Sequence, residues 1–481
     1  MPASFLFYDL ETFGSDPRRS RIAQFAAIRT DAELNETEAP ISFFVQPALD
    51  LLPSPEATLV TRITPQRARH EGLPEAEAMA RIFEAMARPE TCTLGYNSLR
   101  FDDEFVRFGF WRNFFDAYER EWRGGNSRWD LLDVMRLAHA LRPEGIEWRT
   151  REDGQGISFK LEHLAEDNGL REGMAHEALS DVRALIGLAR QLKTAQPRLW
   201  DYALSLRDKR AAMRLLDTFA MRPLLHVSQR FPASRLCAAP VIPLTRHPRI
   251  DSRVIVFDLA QDIEPLLALS AEDIRDRLYV AQADLPKGEQ RIALKEVHAN
   301  RSPMLVEWAH LREADFDRLG LDPALVEARA DKLRASGPKL AEKIRQVYAQ
   351  PRDFTGHDVD GALYDGFIPD SDKRLMAQIR ATPADKLAAS GIAFRDPRLD
   401  ELLLRYRARN WPDTLDFTEQ ARWYDYRRAR MFEDDSLGGQ TLAGYRAEIA
   451  TLRARHAGDA DTLALLDHLD AWGGEREAEI A

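Results

Sequence analysis

The chain has 481 residues, 44% of them hydrophobic and 30% charged, with a formal net charge of −11. That length asks for about two or three domains, the composition excludes a mostly disordered chain, and no apolar run approaches the roughly 20 residues of a bilayer span. Met1-Pro2-Ala3-Ser4-Phe5 shows neither a basic region nor a cleavage signal, and the two cysteines, Cys92 and Cys237, lack metal-ligand spacing, so a cytoplasmic protein with free thiols and no membrane partner is expected.

The first predicted strand, residues 5–12, reads Phe-Leu-Phe-Tyr-Asp-Leu-Glu-Thr. Side chains alternate along a strand, so Asp9 and Glu11 share one face while Tyr8 and Leu10 take the other. Two like charges side by side in a hydrophobic run repel, and a cation between them resolves the conflict. Hard oxygen ligands suit Mg²⁺ or Mn²⁺. An exposed edge strand with two solvated acids is the competing reading.

Further strands are predicted at residues 22–29, 41–45 and 91–96, with a Pro-rich loop at 47–55. Helices are expected at 74–87, 102–116, 131–141, 160–168 and 175–192, which makes the first part α/β. From about residue 197 to 350 short strand-like runs (254–258, 292–297, 304–306) alternate with turn residues, and helices follow near 270–278 and 323–348, which suggests a small β-rich domain with helical insertions. From about residue 353 the pattern is amphipathic helix, with Leu402, Leu403, Tyr406, Trp423, Leu442, Tyr445, Leu452, Leu463, Leu466 and Leu469 as core positions.

The acidic total conceals a basic middle. Residues 198–250 hold ten basic residues against three acidic ones, a local excess of +7, interleaved with Trp200, Tyr202, Phe219 and Phe231. Arginine suits phosphate forks and base stacking better than lysine does, so a phosphate-facing role is expected, with a plain solvated face as the alternative.

Three more segments carry candidate chemistry. In Gly95-Tyr96-Asn97-Ser98-Leu99-Arg100-Phe101-Asp102-Asp103 a strand gives way to a helix, and the acid there is a candidate ligand or simply an N-cap. In His176-Glu177-Ala178-Leu179-Ser180-Asp181 two polar side chains five apart are offset by about 140° on a helix, so both can reach one cleft. Lys160 puts a cation at a helix start, against the dipole; an anionic ligand would explain it, and so would chance.

In order, Asp-x-Glu on a first strand, Asn-x-x-x-Phe-Asp, and His-x-x-x-x-Asp on a late helix resemble the DEDD family of 3′→5′ exonucleases, in the subgroup whose general base is histidine. Residues 5–14, 23–31, 126–136, 363–367 and 406–410 look like the bacterial exodeoxyribonucleases of this family that pair a ribonuclease-H-like exonuclease domain with an SH3-like β-barrel and a helical domain. The resemblance implies an α/β exonuclease domain over 1–192, an SH3-like DNA-channel domain over 197–350 and a C-terminal helical domain over 353–481.

By the same resemblance Asp9, Glu11, Asp102 and Asp181 would hold two Mg²⁺ ions, with Mn²⁺ a plausible substitute, and His176 would be the base. Asp103 rivals Asp102, but the family places its acid directly after Phe. The implied reaction is 3′→5′ hydrolysis of single-stranded DNA to 5′-mononucleotides, with Glu11, Arg107, Tyr118, Trp122, Arg136, Arg142 and Lys160 as candidate strand contacts. Lys160 stands where relatives carry a substrate-contacting Arg, which keeps the charge and loses the fork. Implied partners are single-stranded DNA and the single-stranded DNA-binding protein, whose acidic C-terminal tail needs a basic groove, in a monomeric enzyme of repair and recombination. A 3′→5′ exoribonuclease and a non-catalytic strand-binding protein are the alternatives, since the motif does not read the 2′-OH.

Overall fold

The computed structural model describes residues 2–171, 177–280, 284–287, 289–350, 357–433 and 439–480. These group into two compact units: residues 1–127, 171–186 and 353–481 in the first, and residues 128–170 and 187–352 in the second.

The first unit is built on a mixed sheet. β1 (Ser4–Thr12) runs antiparallel to β2 (Ile22–Thr30), which pairs antiparallel with β3 (Ile41–Phe44); on its other side β1 runs parallel to β4 (Thr91–Gly95). The order β3-β2-β1-β4 puts β1 inside the sheet, so Asp9 and Glu11 are not on a solvated edge. Register pairs Asp9 with Ala26 and Glu11 with Gln24, and a bulge falls between Glu11 and Thr12. Such bulges re-aim side chains beside functional sites. Tyr8 and Leu10 face a core with Phe25, Ile82, Phe105 and Phe110, as the alternation of β1 requires.

Between β3 and β4 lie three helices, α1 (Pro55–Thr61), α2 (Pro65–Glu71) and α3 (Glu75–Met86). Sequence reading anticipated only the third. The signals for the others were present: Ser54 and Thr64 each precede a proline, and each hydroxyl accepts an N–H from the first turn at 3.3 Å, the N-cap and Pro-N1 combination. Helix α4 (Asp102–Arg112) follows β4.

The C-terminal helical segment belongs to the same unit, and buried charge shows why. Asp50 and Asp360, both essentially inaccessible, are bridged by Arg409, whose Nε and Nη2 reach Asp50 at 3.0 and 2.7 Å and whose Nη1 reaches Asp360 at 2.9 Å. Arg430 touches both acids, and Arg21 and Arg405 close on Asp360. These arginines hold both carboxyls below the usual range against the opposing effect of burial. Residues distant in sequence are thereby tied with charges that are costly to bury unpaired. Of the expected core positions, Leu402, Tyr406, Leu442, Tyr445, Leu452, Leu466 and Leu469 are buried, and Leu403, Trp423 and Leu463 pack partly buried.

In the second unit, which the chain enters within β5 (Ser127–Asp130), an antiparallel sheet has the order β10-β6-β7-β8-β9. Its strands are β6 (Leu224–Val227), β7 (Ala238–Arg246), β8 (Arg253–Asp258), β9 (Leu294–His298) and β10 (Met304–Glu307). The last three match expectation. β7 does not read as a strand because Pro240 and Pro243 cannot donate to a ladder; it tolerates them through a register shift between Pro243 and Thr245. The expected helix over 323–348 is two, Pro323–Ala335 and Gly337–Val347, broken where Gly337 takes φ +57° ahead of Pro338. The basic segment begins as helices, Pro197–Ser205 and Lys209–Leu215. Trp200 is fully buried against Trp129, with ring centroids 4.8 Å apart, whereas Phe219 is 97% exposed. No helix among the described residues is long and apolar enough to cross a membrane.

Candidate active site

Three segments of the first unit converge on the Asp9 face of β1. The strand supplies Asp9, half-buried, and Glu11, buried. The helix Ala178–Ala195 supplies Asp181 from its first turn, its position fixed by Ala178 and Val182, both fully buried. One carboxylate oxygen from each of Asp9, Glu11 and Asp181 lies within 4.8 Å of the others. Arg171 stands 3.8 Å from Asp181, a neighbour that nothing in the sequence spacing marks.

Asp102 does not join that tightest set but is near enough to act on it. It occupies the first turn of α4, whose N-cap position is Phe101 with no side-chain cap hydrogen bond. The capping alternative for Asp102 is therefore not what the helix uses. Asp102 helps raise both Asp9 and Glu11.

Asp103 points into different surroundings. Its carboxylate accepts the Tyr8 hydroxyl at 2.7 Å and pairs with the fully buried Arg120, on the face of β1 opposite Asp9. This separation of neighbouring acids follows from the roughly 100° turn per helical residue. Breaking a buried pair leaves an uncompensated charge, so Asp103→Ala is expected to cost about 3–5 kcal/mol of stability. Asp102→Ala is expected to keep the fold and lose turnover. Thermal denaturation and cleavage assays on both variants check this; a stable, inactive Asp103→Ala protein would reverse the assignment.

The electrostatics of the cluster are unbalanced. Burial, followed by Asp102, Glu11 and Asp181, pushes the Asp9 carboxyl well above the ordinary carboxylate range. Burial, then Asp181 and Asp102, pushes Glu11 up to about 8. Convergent carboxylates that repel one another in a partly desolvated pocket are a donor set for a hard divalent cation. Among the described residues the donors of this set are carboxylate oxygens, which suit a hard divalent cation better than a soft one.

His176 lies outside the described residues. Of the expected strand contacts, Arg107 is buried and bonds Glu121 at 2.7 and 2.9 Å and Glu104 at 2.8 Å, its guanidinium lying over the Tyr118 ring. Arg136 bonds Asp133 at 2.7 Å and Arg142 bonds Asp315 at 2.6 Å. Lys160 is largely exposed, 3.1 Å from Glu162, and Trp122 is 66% exposed.

With this geometry established, comparison with known proteins decides the family. Residues 6–189 match the family model described as Exonuclease, residues 207–350 the Exonuclease I SH3-like domain and residues 357–476 the Exonuclease I C-terminal domain. Exodeoxyribonuclease I of Escherichia coli (strain K12) is 46% identical over 474 residues, 98% of each chain. The chain belongs to the exodeoxyribonuclease I family. Among solved structures of this family, a moderately thermophilic exonuclease I from Methylocaldum szegediense aligns at TM-score 0.95 with 46% identity, covering 100% of both chains. A zinc-bound complex of E. coli exonuclease I with single-stranded DNA aligns at TM-score 0.93 with 44% identity, covering 99% of this chain and 100% of that one.

The exodeoxyribonuclease I fold class is thus the α/β exonuclease domain with an SH3-like domain and a C-terminal domain that the motif order implied. As a member of this family the chain is a nuclease, a phosphodiester hydrolase, and its exonuclease domain depends on a divalent metal.

Proposed function

We propose that the chain hydrolyses single-stranded DNA from its 3′ end and releases 5′-mononucleotides. In this reading Asp9, Glu11, Asp102 and Asp181 hold two Mg²⁺ ions, which Mn²⁺ can replace, and His176 is the general base. The observation that carries it is the convergence of Asp9, Glu11 and Asp181 within 4.8 Å, two of them with strongly raised carboxyls. Bound there, the metal supplies Lewis-acid stabilisation of the scissile phosphate and its leaving oxygen.

The residues of the chain do the rest. Asp9 and Glu11, on a strand inside the sheet, fix the donor positions against rigid backbone. Asp181 and Asp102 approach from two helices, so the set is complete only in the folded chain. The imidazole of His176 takes a proton from the attacking water. Lys160 and Trp122, both exposed, are the candidate contacts with groups already turned outward; Arg107, Arg136 and Arg142 are each also paired with an acid of the chain, and Tyr118 lies beneath the Arg107 guanidinium.

The same proposal keeps the three-part division at 1–192, 197–350 and 353–481, a monomeric cytoplasmic enzyme, and docking of the acidic tail of the single-stranded DNA-binding protein on the basic middle segment. Oligonucleotides of DNA and RNA labelled at either end, incubated with Mg²⁺ or with EDTA, test the central claim. The 3′ label is expected to leave first as a mononucleotide, only with metal, and from DNA far faster than from RNA. Release from the 5′ end, release in EDTA, or equal rates on RNA would overturn it.

A further inference from the structure

Among the described residues, a cation stands against the carboxylate cluster. Nη2 of Arg171 lies 3.8 Å from Oδ1 of Asp181, and the two side chains are 22% and 17% exposed. That distance is inside ion-pair range and outside hydrogen-bond range. Nη2 is itself buried and makes no hydrogen bond among the described residues, so it has given up water without gaining a bonded partner. Arg171 and Asp181 belong to one stretch of the first unit, residues 171–186, and Asp9 and Glu11 to the same unit.

This pairing differs from those that hold the fold. Where arginine ties distant parts of the chain together, the guanidinium grips with a short fork: Arg409 reaches Asp50 at 3.0 and 2.7 Å, and Arg107 reaches Glu121 at 2.7 and 2.9 Å. Such forks are directional and strong. A single long contact is neither, so Arg171 gives Asp181 charge rather than orientation and commits none of its lone pairs. The charge falls where repulsion is greatest. Asp181 comes within 4.8 Å of Asp9 and Glu11 and helps raise the carboxyls of both. A positive charge beside Asp181 offsets part of that repulsion in the metal-free protein. The same charge opposes a divalent cation that approaches the same oxygens.

We propose that Arg171 is a displaceable counter-ion of Asp181: it stabilises the carboxylate cluster of the metal-free protein, competes with the divalent cation for that cluster, and so sets the metal concentration at which the site fills. Arg171 is thus a positioning residue that acts through Asp181. The inference rests on the metal-site reading above.

Full-length Arg171→Lys, Arg171→Gln and Arg171→Met proteins test it, with Mn²⁺ binding measured by titration calorimetry in the absence of any strand. Arg171→Gln and Arg171→Met, neutral with and without a polar head, are expected to bind Mn²⁺ roughly 5- to 20-fold more tightly than the wild type, a factor kept well below the unscreened Coulomb value by the partial exposure of both side chains. Either neutral variant carries the test should the other fail to fold. Arg171→Lys, which keeps the charge, should stay near the wild type. The metal-free neutral variants should melt lower than the wild type, because the cluster has lost its counter-charge. The Mg²⁺ concentration for half-maximal mononucleotide release should fall by the same factor as the Mn²⁺ dissociation constant. Lower metal-free stability with tighter metal binding is not what a merely structural arginine gives, since its loss loosens the ligand set and weakens the metal. Unchanged or weaker Mn²⁺ binding in the neutral variants, or equal tightening in Arg171→Lys, overturns the assignment. The underlying readings fail separately and in the wild type: the metal site if it binds no Mn²⁺, and the nuclease if it binds Mn²⁺ yet releases no 3′ mononucleotide from single-stranded DNA.

Discussion

Replacing Asp9 with Asn should reduce cleavage by at least about 10³-fold, roughly 4 kcal/mol of transition-state stabilisation, while leaving strand binding in EDTA nearly intact. The metal-free variant should also be more stable than the wild type. Burial and mutual repulsion hold Asp9 and Glu11 above the ordinary carboxylate range in the folded protein, Glu11 at about 8. The folded state thus binds protons more tightly than the unfolded one. Stability from this source is full below the unfolded pKa and is lost as pH rises through the folded pKa. Between about pH 5 and 8 the metal-free wild type should therefore lose stability progressively. Asp9→Asn, which removes one of the repelling charges, should melt higher at pH 8, by about 1 kcal/mol or roughly 1–2 °C. Mg²⁺ or Mn²⁺ should raise the melting temperature of the wild type and have little effect on the variant. Calorimetry across that pH range decides it: a variant that melts lower than wild type without metal would show that the acids are not in mutual repulsion.

His176→Ala should lower kcat by about 10²–10⁴-fold, the usual range for loss of a positioned general base. The acidic limb of the pH–rate profile, which reports protonation of the general base, should disappear in the variant. Metal-induced thermal stabilisation should survive, because the four carboxylates remain. That combination separates a base from a ligand: loss of metal stabilisation together with turnover would make His176 part of the metal site. A variant with near wild-type turnover at pH 7 would remove it from the mechanism.

The expectations that held were those set by local periodicity. Alternation in residues 5–12 placed Asp9 and Glu11 on one face and Tyr8 on the core face, because a strand allows only two directions for its side chains. Amphipathic spacing picked out Leu402, Tyr406, Tyr445 and Leu469 as buried. Local reading failed where tertiary context outweighed propensity. Pro240 and Pro243 argue against a strand, yet β7 forms because its neighbours on both sides supply pairing and a bulge absorbs the missing donors. Trp200, an apparent stacking residue in a basic segment, is core because Trp129 packs on it.

The sequence by itself determined that Asp9 and Glu11 share one face of β1, opposite Tyr8 and Leu10, since that follows from the two-residue period. It favoured Asp102 over Asp103 only through the family pattern, and it could not say what surrounds either acid nor whether Arg107 offers its charge outward. Those depend on which distant partners occupy the same space. Tyr8 and Arg120 claim Asp103, Glu104 and Glu121 claim Arg107, and Tyr364, more than 250 residues further along the chain, closes that network. A buried charge takes whatever counter-charge folding brings within reach, and that reach is a property of the packed chain rather than of spacing along it.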